Sequence, residues 1–323
     1  MTINALFAMN PVFLPRLFPP SLMERLRALA DVDPGVVVER FDDPRIRPGT
    51  EVLITGWGCP PLDAAALDRM PGLRAVLHAA GTVKNFMTAQ AWDRELTVTS
   101  AAAANAVPVA EYTLAAILFA GKSILTRREQ YREHRAYPKH PAGTGNYGRT
   151  VGVVGASQVG RRVLALLEPF DLRPCYTDPY TQVPGVPRLE LDELLATSDI
   201  VTLHAPNTEQ TRHLIDRRGL ALMRDGAVLI NTARGALVDT TALIDELTTG
   251  RLSAILDVTD PEPLPGDSPL FVLPNAFVTP HAAGSEGTEL ARLGAAVVTE
   301  LERFAAGGPP LYPVRREELE RLA

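Results

Sequence analysis

Cysteine is nearly absent: the 323-residue chain has two, Cys59 in a Gly/Pro turn and Cys175 in an apolar stretch. Two cysteines cannot build a disulfide framework, and both are expected to be small, buried side chains. No CxxC pair or His/Cys cluster occurs, so no metal site is expected. Positive charge is also scarce, with 32 Lys+Arg against 38 Asp+Glu and a net charge of −6. Nucleic-acid binding needs clustered cations that displace counterions from phosphates, and no such partner is expected. The first twenty residues lack a basic stretch ahead of their apolar part and are broken by Pro11, Pro15 and Pro19. No secretory leader is therefore expected.

Apolar runs of membrane-spanning length are missing except at Ser100–Gly121, and that run contains Pro108 and Glu111. A charge at mid-span costs about 2.5–3.5 kcal/mol on insertion scales. The run therefore reads as the end of a strand followed by a buried helix starting near Pro108, where a first-turn proline loses no hydrogen bond. A cytoplasmic protein without a membrane partner is expected.

What is present is ordinary globular stock, 46% hydrophobic and 22% charged, at a length of about two domains. Asn4–Met9, Val36–Phe41, Glu51–Thr55, Leu73–His78 and Leu96–Thr99 read as strands, with helical spacing in Leu22–Leu29 and Leu62–Met70. A polar stretch, Arg127–Asn146, reads as a helix extension and an exposed loop. A second alternating series follows in Val151–Val154, Arg173–Thr177, Ile200–Leu203, Ala227–Asn231, Ser253–Asp257 and Ala276–Thr279. Strands alternating with helices imply βαβ units and parallel sheets. The second series reads as doubly wound, with ligands at the carboxyl ends of its strands.

The first strand of that series runs into Gly155-Ala156-Ser157-Gln158-Val159-Gly160, an imperfect GxGxxG with serine at the middle glycine. Backbone N–H groups near Ser157–Val159, at a helix start, can hold a pyrophosphate. The next strand ends in Tyr176-Thr177-Asp178, where an acid can accept from ribose hydroxyls and would repel a 2′-phosphate. NAD is thus expected over NADP. Four later strands also end in polar groups: His204-Ala205-Pro206, Asn231-Thr232-Ala233-Arg234-Gly235, Asp257 to Pro263, and Thr279-Pro280-His281-Ala282-Ala283-Gly284-Ser285.

On these motifs, with Ala104-Asn105-Ala106, Val109-Ala110-Glu111 and Asp239, the chain resembles the D-isomer-specific 2-hydroxyacid dehydrogenases, a family that includes phosphoglycerate dehydrogenase and glyoxylate/hydroxypyruvate reductases. The likeness is strongest over about residues 100–285. It implies an α/β fold in which a Rossmann-type, doubly wound cofactor domain (103–283) is inserted into a smaller, flavodoxin-like substrate domain (1–102 and 284–323). It implies an NAD(H)-dependent oxidoreductase that interconverts a small D-2-hydroxy acid and its 2-oxo acid. In that reading Arg234 binds the substrate carboxylate and polarises the 2-oxo group, because a guanidinium fork makes two charge-assisted bonds. His281 is the acid/base, suited by a reference pKa of about 6.5, and Glu262 pairs with the imidazole and orients it.

The same resemblance assigns Gly155, Ser157, Gln158, Val159, Asp178, His204, Ala205, Pro206, Thr232, Ala233, Asp257 and Gly284 to the cofactor, with Asp257 on the nicotinamide carboxamide. Ala80, Gly81 and Thr82 are expected to bind substrate with Arg234 and His281, their backbone amides taking the carboxylate. Relatives dimerise through the cofactor domain, so a homodimer is implied. Two departures stand out: Ser157 in the phosphate loop, and Tyr112 where Val-Ala-Glu is often followed by histidine. Trp57 either closes over substrate or packs on its own domain. The alternative function is an NAD(H)-sensing, corepressor-like binding protein with little turnover, against which the retained Arg234, Glu262 and His281 argue.

Overall fold

The computed structural model describes residues 2–137 and 144–321. The chain forms two compact units, Met1–Asn105 with Ser285–Leu322, and Ala106–Gly284.

The first unit contains β1 (Ile3–Ala8), β2 (Ala30–Asp31), β3 (Val37–Val38), β4 (Val52–Thr55), β5 (Ala75–His78) and β6 (Thr97–Ser100). They form a parallel sheet in the order β2-β1-β4-β5-β6, with β3 also on β1. With the two-residue β3 set aside, this is the flavodoxin order. Every residue of β4 and β5 is buried, which is why both read as unbroken apolar runs. Strand side chains alternate between faces. Accordingly Phe7, Ile54 and Leu77 join one core cluster, whereas Leu6, Leu53 and Val76 join another. The helix Leu290–Ala305 returns to this unit and packs Leu293, Val297 and Leu301 into the first of these clusters.

The second unit contains β7 (Thr150–Val154), β8 (Arg173–Thr177), β9 (Ile200–Leu203), β10 (Val228–Asn231), β11 (Ser253–Leu256) and β12 (Ala276–Val278). All neighbours are parallel, in the order β12-β11-β10-β9-β7-β8. Outside β8 the chain adds one more parallel bridge, Tyr176 to Arg188, with the Leu189 N–H donating to the Tyr176 carbonyl. Counting that bridge as a minimal third strand gives the doubly wound order 3-2-1-4-5-6, extended by β12. The order reverses between β7 and β9, and a crevice at the carboxyl ends of such strands is where ligands bind in open α/β sheets.

Three elements differ from the reading of the sequence. The long helix spans Ala102–Gly121, so it starts ahead of Pro108 and contains it. A helix-interior proline forfeits one backbone bond; here burial of Ala103, Ala106, Val109, Ala110 and Ile117 offsets the loss. By length and composition this helix could cross a membrane, yet Ala110 and Ile117 lie in the second unit's core beside Val151 and Val153. The Val36–Phe41 run contracts to Val37–Val38, and the two-residue Ala30–Asp31 strand has no sequence signature. In the polar stretch, Ile124–His134 is a helix with no buried residue, while residues 138–143 of the expected loop lie outside the described residues.

Candidate active site

β7 leads into Gly155, whose φ of +90° only glycine adopts without strain. A Cβ there would also lie 2.6 Å from the Ala205 nitrogen. The helix Gln158–Leu167 follows, and among the described residues the N–H groups of Ser157, Gln158 and Val159 meet no acceptor. Three open donors on the positive end of a helix are a fitting cradle for a pyrophosphate. Ser157 takes φ −85° and ψ −136°, and its hydroxyl makes no capping bond. The loop therefore needs no left-handed residue at the position where the fingerprint has glycine.

Asp178, at the end of β8, is 8% exposed. Its Oδ2 accepts from the Ala156 N–H at 2.7 Å, and its Oδ1 from the N–H groups of Tyr180 and Thr181 at 2.8 Å. The carboxylate thus ties the phosphate loop to the end of β8, and one lone-pair position on Oδ2 stays open for a hydroxyl. His204 follows β9 and is buried; its Nε2 meets the Thr202 hydroxyl at 3.0 Å, while Nδ1 has no partner among the described residues. Burial pushes its pKa down to about 3, so the ring is neutral. An orphaned buried ring nitrogen, the open amides and the Gly155 cradle are together what a dinucleotide site requires.

At the end of β10, the Asn231 side chain clamps the next turn. Its Oδ1 accepts from the Ala233 N–H at 3.1 Å and its Nδ2 donates to the Arg234 carbonyl at 2.8 Å. Gly235 lets this turn press on the next strand end, since a Cβ would fall 2.0 Å from the Thr259 carbonyl carbon. The Arg234 guanidinium donates to the Ala233 carbonyl at 2.6 Å. Burial lowers its pKa and the nearby Glu262 carboxylate opposes that shift. His281 Nδ1 lies 3.0 Å from Glu262 Oε1. A carboxylate only accepts, so Nδ1 carries the hydrogen and Nε2 is left to exchange a proton. Arg234, Glu262 and His281 are thus brought together at the ends of three successive strands.

His281 has a φ of +57°, a left-handed conformation that costs a non-glycine residue about 1–3 kcal/mol. Asp257, 1% exposed, holds it there. The Asp257 carbonyl accepts from the His281 N–H at 2.9 Å. The Asp257 side chain accepts from the Thr279 hydroxyl at 2.6 Å, the Ala282 N–H at 2.8 Å and the Ala283 N–H at 2.9 Å. The residue expected on the cofactor carboxamide is thus first a clasp for the His281 loop, with one acceptor position left on Oδ2. Asp239 is a helix cap, accepting from the Ala242 N–H at 3.0 Å. Asn231 and Thr279 stood in the motifs without assigned roles; their signal was a polar residue at the end of an apolar strand.

In the first unit, β5 runs into the loop carrying Ala80, Gly81 and Thr82. The Ala80 carbonyl accepts from the Ala101 N–H at 3.0 Å, and Lys84 donates its N–H to the Thr82 hydroxyl at 3.3 Å. Among the described residues the N–H groups of Ala80, Gly81, Thr82 and Val83 meet no acceptor. Four open amides in sequence are donors available to an anion. Trp57 rests on Phe13 of the same unit, ring centroids 5.1 Å apart, so it packs on its own domain.

A family model described as "D-isomer specific 2-hydroxyacid dehydrogenase, NAD binding domain" matches residues 114–283. The D-3-phosphoglycerate dehydrogenase of Mycobacterium tuberculosis is 36% identical over 252 residues, covering 76% of this chain and 48% of that protein. The glyoxylate reductase of Korarchaeum cryptofilum is 33% identical over 267 residues, covering 80% of each. The crystal structure of a Thermus thermophilus protein superposes with a TM-score of 0.76 at 33% identity, covering 97% of this chain and 100% of that one. The chain spans about half the length of the phosphoglycerate dehydrogenases it matches.

Proposed function

Because the chain belongs to the D-isomer specific 2-hydroxyacid dehydrogenase family, we propose that it is an NAD(H)-dependent oxidoreductase interconverting a small D-2-hydroxy acid and its 2-oxo acid. The observation that carries this reading is the 3.0 Å bond from His281 Nδ1 to Glu262 Oε1, with the Arg234 guanidinium close enough to feel the same carboxylate. When bound, the nicotinamide supplies hydride to C2 of the oxo acid, or takes it back. The open N–H groups of Ser157, Gln158 and Val159 would hold its pyrophosphate, Asp178 its adenosine ribose, and His204, Ala205, Pro206, Thr232, Ala233, Asp257 and Gly284 the remainder.

Arg234 grips the substrate carboxylate through its fork and draws electron density from the 2-oxo oxygen. The open amides of Ala80, Gly81 and Thr82 are the first unit's proposed substrate contacts, donors of the kind a carboxylate accepts from. His281 Nε2 gives its proton to the oxygen during reduction and recovers it during oxidation. Glu262 keeps Nδ1–H engaged throughout, so the ring cannot turn away and its positive charge is balanced. The test is to mix the protein with NADH and a panel of 2-oxo acids, including glyoxylate and hydroxypyruvate, and follow the loss of NADH absorbance. Turnover of at least one is expected. Tight NADH binding without turnover of any would instead favour the dinucleotide-sensing alternative, which does not need the Arg–Glu–His set.

Two finer readings belong to this proposal. NAD is preferred over NADP because Asp178 puts a buried carboxylate where a 2′-phosphate would approach, and like charges side by side cost several kcal/mol. Asp178→Asn, which keeps an acceptor oxygen, should lower the NADH-to-NADPH ratio of kcat/KM at least about tenfold; an unchanged ratio would remove the argument. The working unit is a cytoplasmic homodimer. Phe119, Tyr131, Phe271, Val272 and Phe277 of the second unit are all at least 41% exposed, the last three along a groove of about 900 Å³. These side chains are what a second copy would cover. Sedimentation should give twice the chain mass, and Phe277→Glu should shift it toward monomer.

A further inference from the structure

Tyr112 is the one residue of the long helix's family-like segment that departs from the pattern, and its hydroxyl reaches the catalytic loop. It lies 2.7 Å from the Thr279 Oγ1. The direction of this bond follows from the next one. Thr279 must donate its only hydroxyl hydrogen to Asp257 Oδ1, at 2.6 Å, because a carboxylate cannot donate. Thr279 therefore accepts, and Tyr112 donates. Burial raises the phenol's pKa, the Thr279 bond opposing and the Asp257 charge adding to the shift, so the donor keeps its proton at neutral pH.

The neighbouring residue makes the same kind of bond to the other catalytic turn. Thr113 donates to the Val109 carbonyl at 2.8 Å, so at 3.0 Å it accepts from the hydroxyl of Thr232, two residues before Arg234. One helical turn thus carries two hydroxyls, one fixed to the Arg234 turn and one to the His281 loop. We propose that Tyr112 is a positioning residue for His281, acting through Thr279 and Asp257, and that with Thr113 it sets the register between the guanidinium and the imidazole. The His281 loop needs such support: its left-handed φ of +57° is strained, and the N–H groups of His281, Ala282 and Ala283 all end on Asp257 or on Thr279. The chain Tyr112–Thr279–Asp257 continues that clasp to the helix, and the charge-assisted Thr279–Asp257 bond polarises the neutral Tyr112–Thr279 bond beside it.

This inference rests on the proposed dehydrogenase reading, so its test has one readout that does not need turnover. In the protein without added ligand, hydrogen exchange at the Ala282 and Ala283 amides should speed up about tenfold in Tyr112→Phe and more in Thr279→Val, while Thr279→Ser stays near the parent. In turnover with the best 2-oxo acid, Tyr112→Phe should lower kcat about tenfold with KM and NADH affinity changed less than about twofold. Adding Tyr112→Phe to Thr279→Val should cost nothing further, since the tyrosine acts only through that hydroxyl. Unchanged exchange with unchanged kcat, or fully additive losses, would overturn the proposal. Accelerated exchange in a protein that reduces no 2-oxo acid would uphold the positioning chain and sink the dehydrogenase reading instead.

Discussion

His281→Ala is expected to lower kcat by about 10²–10⁴, the usual worth of a positioned general acid, while NADH affinity stays near that of the parent. The reasoning is geometric. The imidazole is half-exposed and bonded through Nδ1 to Glu262, which is itself exposed. Removing the ring leaves no buried group unpaired, so folding should be untouched. The loss should therefore appear in turnover and not in thermal stability. Steady-state kinetics with a fluorescence titration of NADH checks it. Parallel loss of cofactor binding and of folding would make His281 a structural residue.

Asp257→Asn should be nearly as damaging to turnover, but for a different reason and with a different signature. The carboxylate accepts three hydrogen bonds from the His281 loop, and the residue is almost wholly buried. An amide keeps one oxygen and turns an NH2 toward donors that then have no acceptor. Each buried donor left unpaired costs about 1–3 kcal/mol. A domain of this size loses roughly 2–4 °C of Tm per kcal/mol, so a Tm fall of about 5 °C is expected together with a kcat loss of about a hundredfold. Differential scanning fluorimetry and kinetics on the same preparation separate the two variants. His281→Ala should lose rate alone, Asp257→Asn rate and stability together. Equal melting temperatures for Asp257→Asn and the parent would mean the clasp does not hold the loop.

Much of the second unit was legible because parallel strands buried on both faces write themselves as apolar runs with polar ends. β9 and β10 are buried at every position, and His204 and Arg234 follow directly where the runs stop. The first unit was harder for the same reason in reverse. β2 and β3 are two residues each, too short for any period to show. Pro108 pointed to a helix start because propensity is local, whereas the burial that keeps it inside the helix is not. The site was legible as far as its motifs reach: residue types at strand ends name the guanidinium, the imidazole and the acid. What holds them was not. The Tyr112–Thr279 bond joins residues 167 apart in sequence, the positive φ of His281 has no sequence signal, and nothing in the sequence shows that Asp257 also accepts from the His281 loop.

Hydride delivery to C2, with His281 supplying the proton, is tested most directly by isotope. The protein is given NADH carrying deuterium at the transferred C4 position and the best 2-oxo acid in ordinary water. The hydroxy acid should carry one deuterium at C2, in the D configuration, and substitution at His281 should slow the reaction without changing the label. Product of L configuration, or with C2 hydrogen drawn from water, would contradict an Arg234–Glu262–His281 site working on a bound nicotinamide.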